Sequence, residues 1–305
     1  MIGTMHALLR NLIRTCARPL AMVALLSFPV LPATLLGATP EPSGEFLRFL
    51  QGAGEFAGEL QTAVVTYRNT DGVEVDLVAT VHMAERSYYD SLNDYFTTRD
   101  AVLYELVADE TVRPDGSGVG RGSGVIGFLQ TSMTRFLGLS YQLDVINYAR
   151  PNFVHADLEP QELDAVMAAK GETLFSAFLA LVLAEVENQQ SRPAVAGSEP
   201  LNISLADLVR LFSLPNRQGA FKYLLGQSLA LSEGSLMAIT GNGFTLLDDR
   251  NEAALNVLGE NLRNPVANSY SIYFGAAHMP GLAQGLRQMG FERQSVTWLT
   301  AWRSQ

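Results

Sequence analysis

The chain has little cysteine, little lysine and little charge overall. Cys16 is its single cysteine, and Lys170 and Lys222 are its only lysines among 305 residues. One cysteine excludes an intramolecular disulfide and a cysteine-based zinc site. Charged residues make up only 17 % of the chain and hydrophobic residues make up 48 %. A composition this apolar excludes global disorder. The length suits one large domain or two ordinary ones.

Positive charge is also scarce. The chain has 21 basic and 31 acidic residues and a formal net charge of −10. An acidic chain repels phosphate backbones at long range, so the composition predicts no nucleic-acid partner.

The N-terminus has the pattern of an export segment. Residues 1–18 hold three arginines and no acidic residue, and residues 20–38 are almost wholly apolar. This pattern predicts either a cleaved signal peptide over 1–38 or an N-terminal anchor in the inner membrane formed by 20–38. The remaining alternative is a buried N-terminal helix. Export would place the rest of the chain in the periplasm or outside the cell.

Residues 39–59 are predicted to form a polar linker and a short amphipathic helix, and the domain proper is predicted to span 60–305. Two alternating β-branched runs flank Thr70-Asp71-Gly72, which indicates a hairpin. A helical pattern over 84–100 and an apolar strand over 101–107 follow. Strand–helix–strand spacing of this kind is typical of α/β folds.

A large helical insertion is predicted over about 125–263. Its candidate helices are 125–137, 160–170, 172–190, 203–213, 217–231 and 245–263, with a short strand starting at Phe153. After it the chain closes with a strand, a helix and a final strand.

Two of the four histidines follow apolar strands. His82 and His278 each end a small-x-x-His turn, the position where α/β folds place their sites. Glu105 lies in the apolar run LYELV, where a buried carboxylate needs a cation or a metal ion. Two imidazoles and a carboxylate suit a divalent ion with open positions for water. The alternative is a hydrogen-bonded cluster that only holds the strand ends together.

Four segments, ATVHMAERSYY, DAVLYELV, DDRNEAAL and YFGAAHMPGLAQGLRQMGF, resemble the TraB/PrgY/GumN/Tiki family. The family pattern is G-x-x-H, an acid in a strand, Arg-Asn, and a second G-x-x-H before a helix. Ala79 stands where the first motif has glycine. The segment 137–163 resembles the middle of bacterial members, so the resemblance covers about residues 60–300.

The resemblance implies a three-layer α/β sandwich with a mixed central sheet, shared with erythromycin esterases and haem-binding ChaN-like proteins. Animal Tiki members are membrane-bound metal-dependent proteases. Carried over, the metal ligands become His82, His278 and Glu105 around Mn, Co or Zn, and the Arg-Asn pair becomes Arg250 and Asn251. Glu105 and Arg250 would be the catalytic residues.

Other residues are expected around these ligands. His155 and Asp157 lie in the family-like segment, where His155 is otherwise a surface histidine, and Tyr88 lies one turn beyond His82, where it either donates to the site or packs in the core. Together these features predict an exported metal-dependent hydrolase, a peptidase acting on peptides or proteins. The alternatives are a non-catalytic peptide-binding protein of the PrgY type and a haem- or metal-binding protein of the ChaN type.

Overall fold

The computed structural model describes residues 44–117, 134–171, 213–239, 247–263 and 267–305. The export segment 1–38 and the first residues of the linker lie outside the described residues. So do most of the helices predicted at 125–137, 172–190 and 203–213. Along the part of the chain that the structure describes, no helix is both long enough and apolar enough to cross a membrane.

Seven of the described strands form one mixed sheet. The strands are β1 (Leu47–Gln51), β2 (Gly58–Arg68), β3 (Glu74–Thr80), β4 (Met83–Ala84), β5 (Ala101–Tyr104), β6 (Ser140–Tyr141), β7 (Phe153–His155), β8 (Ser269–Gly275) and β9 (Glu292–Ser304). The order in the sheet is β1-β2-β3-β8-β5-β7, and β9 also pairs with β2, while β4 and β6 form a separate two-stranded sheet.

Strands β3, β8, β5 and β7 are parallel neighbours. Thr80 is level with Gly275, and Tyr104 is level with both Tyr273 and His155. The carboxyl ends of all four strands therefore meet at one edge of the sheet. Strand β8 reads SYSIYFG and is buried from Tyr270 onwards, as expected for a strand covered on both faces.

Helices cover both faces of the sheet. They are α1 (Arg86–Phe96), α2 (Pro160–Lys170), α3 (Arg217–Ile239), α4 (Asp248–Asn261) and α5 (Met279–Gln288). Two tyrosines of β8 show the two layers: the ring centroids of Tyr273 and Phe96 of α1 are 4.9 Å apart, whereas the Tyr270 hydroxyl donates to the carbonyl of Asn261 in α4. Side chains three residues apart in a strand point to opposite faces. The predicted three-layer α/β sandwich with a mixed sheet is confirmed.

The short amphipathic helix predicted in 39–59 was wrong, because Leu47–Gln51 forms strand β1 instead. The strand pairs antiparallel with the first half of β2, so its backbone groups find partners in the sheet. Its alternation also fits the pleat: Leu47 is buried, and the guanidinium of Arg48 stacks 4.0 Å from the ring of Trp298 on β9. Tertiary pairing thus overrides a weak local helical pattern.

Within the predicted insertion 125–263, the structure describes residues 134–171, 213–239 and 247–263. Helices α2, α3 and α4 match the predicted segments 160–170, 217–231 and 245–263, with α3 extending further to Ile239. The short strand predicted from Phe153 is β7, which belongs to the central sheet and pairs with β5. The insertion therefore contributes a strand to the edge where the carboxyl ends meet.

Ala79 lies within strand β3 rather than in a turn. It is buried and paired with Phe274, so its backbone is extended and a methyl group is accommodated there. Gly275 is level with Thr80 instead. The two small-x-x-His motifs are thus offset by one residue in the sheet, and the alanine imposes no left-handed conformation.

The hairpin between β2 and β3 depends on Gly72, whose φ is +83°. We expect Gly72→Ala to lower the free energy of unfolding by about 1–2 kcal/mol, because a side chain disfavours the left-handed region. Gly259 is the control: it lies within α4, and nothing within 4 Å would meet an added Cβ. Gly259→Ala should stabilise the fold by about 0.5–1 kcal/mol. Urea denaturation measures both, and equal signs would contradict this assignment.

Candidate active site

Each of the four parallel strands delivers a polar residue to the same edge of the sheet. His82 follows β3, Glu105 follows β5, Asp157 follows β7, and His278 ends the short 3₁₀ turn Ala276–His278 after β8. The strand predicted over 101–107 ends at Tyr104, so Glu105 is the first residue beyond it. This edge is where open parallel sheets place their ligands.

Arg250, in the first turn of α4, lies between the carboxylates of Glu105 and Asp157. These three residues and His278 are called the charged cluster below. Its Nη2 donates to Glu105 Oε1 at 2.8 Å, and its Nε and Nη2 donate to the two oxygens of Asp157 at 2.8 and 2.6 Å. The Asp157 side chain has no exposure, and those of Glu105 and Arg250 are 12 % and 11 % exposed. The cation that a buried Glu105 requires is therefore present as Arg250.

The cluster also fixes the ionisation of its members. Burial opposes ionisation of Glu105, but the positive groups around it, His278 when protonated and the Arg250 guanidinium, outweigh burial and hold its pKa well below the usual range. Burial likewise opposes the charge on Arg250, and hydrogen bonding to Asp157 outweighs it and raises its pKa. One guanidinium faces two carboxylates, so Arg250, Glu105 and Asp157 together carry a net charge of −1.

The ring of His278 is held at both nitrogens. Its Nδ1 lies 2.8 Å from Asn251 Oδ1, which accepts, and its Nε2 lies 3.4 Å from Arg250 Nη1, which donates. An amide oxygen accepts, so the contact with Asn251 places a proton on Nδ1. The same Nε2 lies 3.5 Å from Glu105 Oε1. Nε2 of His278 therefore faces both the guanidinium of Arg250 and the carboxylate of Glu105.

His82 is exposed and lies at the mouth of the cluster. Its Nδ1 lies 3.2 Å from Gln142 Oε1, which leaves Nε2 as the nitrogen that faces other groups. With Glu105 and Arg250 it lines a pocket of about 190 Å³, whose other walls are Leu106, Val107, Tyr141, Gln142 and Leu143. The pocket therefore joins a charged floor to a largely apolar rim.

Gly275 lets the backbone come close to this floor. Its N–H donates to Glu105 Oε2 at 2.6 Å, and a Cβ at this position would lie 3.3 Å from the same oxygen. A side chain here would crowd the carboxylate. The glycine of the second motif thus has a physical role at Glu105.

The structure places the remaining predicted residues at different distances from the pocket. Asn251 and Asp157 contact His278 and Arg250 directly, as described above. His155 Nε2 instead lies 2.7 Å from the carbonyl of Leu106, so it supports the chain that leaves β5. Tyr88 is buried in the α1 layer, where its hydroxyl donates to the carbonyl of Ala79. Tyr88 therefore packs in the core.

The donor set fits a divalent ion in chemistry and in charge. Both imidazoles have Nδ1 facing an amide oxygen, as is typical of histidines that bind metals, although Nε2 of His278 also lies near Arg250 and Glu105. The surplus negative charge of the cluster would be balanced by a cation. As placed, however, the described side chains include no group of three or more His, Cys, Asp and Glu that could hold an ion together. The structure thus brings the donors to one edge without a preformed three-ligand cage.

Sequence reasoning missed Gln142 and the hydroxyl of Tyr148 behind it. Gln142 follows β6 and is 3 % exposed, and its Nε2 donates to the Tyr148 hydroxyl at 2.7 Å. Both residues lie in the segment 137–163, whose resemblance gave no role to either residue. A buried glutamine after a two-residue strand has no sequence pattern of its own.

Comparison with known proteins adds nothing to these observations. No family model matches the sequence, and no curated protein matches it at a significant level.

Proposed function

We propose that this chain is an exported metal-dependent hydrolase that acts on peptides or proteins. The observation that carries the proposal is the convergence of His82, Glu105 and His278 with Arg250 at the carboxyl ends of parallel strands. A buried cluster of perturbed ionisable groups beside a pocket is typical of a reaction site. The sequence resemblance to the TraB/PrgY/GumN/Tiki family supports the same reaction class.

His82, His278 and Glu105 are the residues that would hold the ion, with Mn, Co or Zn as candidates. Such an ion polarises a carbonyl group and lowers the pKa of bound water towards about 7. The chain supplies the orientation: Asn251 keeps the His278 proton on Nδ1, and Gly275 N–H and Arg250 hold the two oxygens of Glu105.

Arg250 acts mainly as a positioning residue in this proposal. The guanidinium contacts Asp157, Glu105 and His278, so its N–H groups are directed at side chains of the protein rather than at a substrate. Its fixed charge keeps Glu105 ionised and therefore ready to act as a ligand or base. The apolar rim formed by Leu106, Val107 and Leu143 would exclude bulk water from a bound peptide.

The location of the protein belongs to the same proposal. Residues 1–38 would direct export, and residues 20–38 would anchor the domain to the inner membrane if they are retained. The substrate would then be a periplasmic or extracellular peptide or protein.

The test is cleavage of a peptide library by the full-length chain. We expect hydrolysis to be lost with a chelator and restored by added Mn, Co or Zn, because the proposed reaction depends on an ion held by His82, His278 and Glu105. Metal analysis should find about one ion per chain, and His278→Ala should abolish its binding.

The alternatives predict other results in the same preparation. Tight peptide binding without cleavage would favour a sequestering protein, and a Soret band after haem addition would favour haem capture. Hydrolysis that persists unchanged in chelator would contradict the role of the metal.

A further inference from the structure

Gln142 contacts His82 through both its backbone and its side chain. Its N–H donates to the carbonyl of His82 at 2.9 Å, and its Oε1 lies 3.2 Å from the Nδ1 atom of the ring. The two residues are brought together by the pairing of β4 with β6, in which Met83 is opposite Tyr141. The backbone thus sets the distance, and the side chain then sets the orientation of the ring.

The amide of Gln142 is itself held from behind. Its Nε2 donates to the hydroxyl of Tyr148 at 2.7 Å, and Tyr148 is fully buried. Burial raises the pKa of Tyr148 above its usual value, so the phenol stays neutral. With Nε2 directed at Tyr148, Oε1 faces His82. An amide oxygen is an acceptor, so this orientation favours the imidazole tautomer with its proton on Nδ1.

Asn251 does the same for His278. Both histidines of the edge therefore have Nδ1 facing an amide oxygen, although the two amides come from different elements, the 3₁₀ turn Gln142–Asp144 and helix α4. His82 is exposed, so burial does not fix its ring, whereas His278 is buried. The orientation of the His82 ring therefore depends more on Gln142 than the orientation of the His278 ring depends on Asn251.

We propose that Gln142 is the positioning residue for His82, which it holds with the proton on Nδ1 and with Nε2 available at the pocket. The consequence for turnover rests on the proposed function, but the tautomer does not. Tyr148 supports this arrangement by holding the Gln142 amide in place from behind.

The decisive measurement is the tautomer of His82 in the full-length, metal-free chain labelled with ¹⁵N-histidine. Two-bond ¹⁵N–¹H correlations at mildly alkaline pH separate the protonated from the unprotonated ring nitrogen, and His82→Gln identifies the signals. We expect His82 to carry its proton on Nδ1. In Gln142→Met, which keeps side-chain length but has no amide, the proton should redistribute towards Nε2.

The matched control is Gln227→Met. Gln227 also donates an amide N–H to a tyrosine hydroxyl, that of Tyr223 at 3.0 Å, but this pair lies on α3 and involves no histidine. It should leave the His82 spectrum unchanged. The wild-type measurement needs no variant, so misfolding of Gln142→Met cannot mask the answer. A wild-type His82 with its proton on Nε2 would overturn the proposal.

Turnover provides the separate functional readout. If the chain hydrolyses peptides, Gln142→Met should lower kcat/KM and metal affinity by about 10- to 100-fold, the range found for residues that orient metal-bound histidines. A folded Gln142→Met chain with unchanged His82 tautomer would overturn the positioning role. Absence of hydrolysis in the wild type would contradict the proposed function and leave the tautomer result to decide this inference.

Discussion

Arg250→Met is expected to lower the free energy of unfolding by about 3–5 kcal/mol, because it leaves two buried carboxylates without their cation. The guanidinium makes three hydrogen bonds to Glu105 and Asp157, and methionine replaces its volume without its charge. Chemical denaturation of the full-length chain measures the loss. The effect should be among the largest of any single substitution at this edge of the sheet.

Arg303→Met is the matched control, since Arg303 also pairs with a glutamate, Glu59, but its side chain is 55 % exposed. An exposed pair contributes about 1 kcal/mol or less. Equal losses in the two variants would contradict the assignment of Arg250 as the central cation. Adding Glu105→Gln and Asp157→Asn to Arg250→Met should recover part of the stability, because no buried charge then remains.

The pH dependence of that loss follows from the low pKa of Glu105. In the wild type its contribution to stability is complete above the unfolded value of about 4.5 and disappears only as the pH falls through the lower folded value. In Arg250→Met a proton can neutralise the stranded carboxylates. The difference in stability between the two chains should therefore shrink as the solution is made acidic.

Glu105→Gln is expected to lower peptide hydrolysis by about 100-fold or more, in the range for loss of a group that acts directly in the reaction. It removes a charge but keeps the size of the side chain. Arg250 keeps both of its hydrogen bonds to Asp157 in this variant, so its guanidinium is not left without a carboxylate partner. Steady-state kinetics, metal analysis and thermal melting are measured on the same preparation.

Glu74→Gln is the control for a lost glutamate charge. Glu74 pairs with Arg68 and Arg99 at the start of β3, away from the edge where the carboxyl ends meet. It should leave hydrolysis and metal content unchanged. Lost stability in Glu105→Gln with metal binding retained would show that the carboxylate is a structural counter-ion instead.

Much of the fold follows from local patterns in the sequence. The hairpin around Gly72, the helix after His82, the strand ending at Gly275 and the helix after it are all close to their predicted positions. Each has either a strong period or a turn residue with its own conformational requirement. The two motif histidines were also predicted to follow strands, and those strands, β3 and β8, are direct neighbours.

The parts that sequence reasoning did not reach depend on distant contacts. Strand β1 exists because β2 offers it an edge, which no local pattern reveals. Burial of Glu105 required a cation, but nothing in the run LYELV indicates that the cation is shared with Asp157. Gln142 was missed for the same reason, since its role depends on a contact with a histidine 60 residues away.

The four parallel strands are connected by crossovers rather than by hairpins. The charged residues at their carboxyl ends are therefore far apart in sequence and come together only during folding. Arg250 is separated by 145 residues from Glu105 and by 93 from Asp157. Contacts of such long range require the closure of large loops, which costs conformational entropy. We predict that the guanidinium docks after the rate-limiting step of folding. Arg250→Met should accordingly speed unfolding and leave the rate of folding nearly unchanged, so the charged cluster governs how long the native chain persists rather than how quickly it is made.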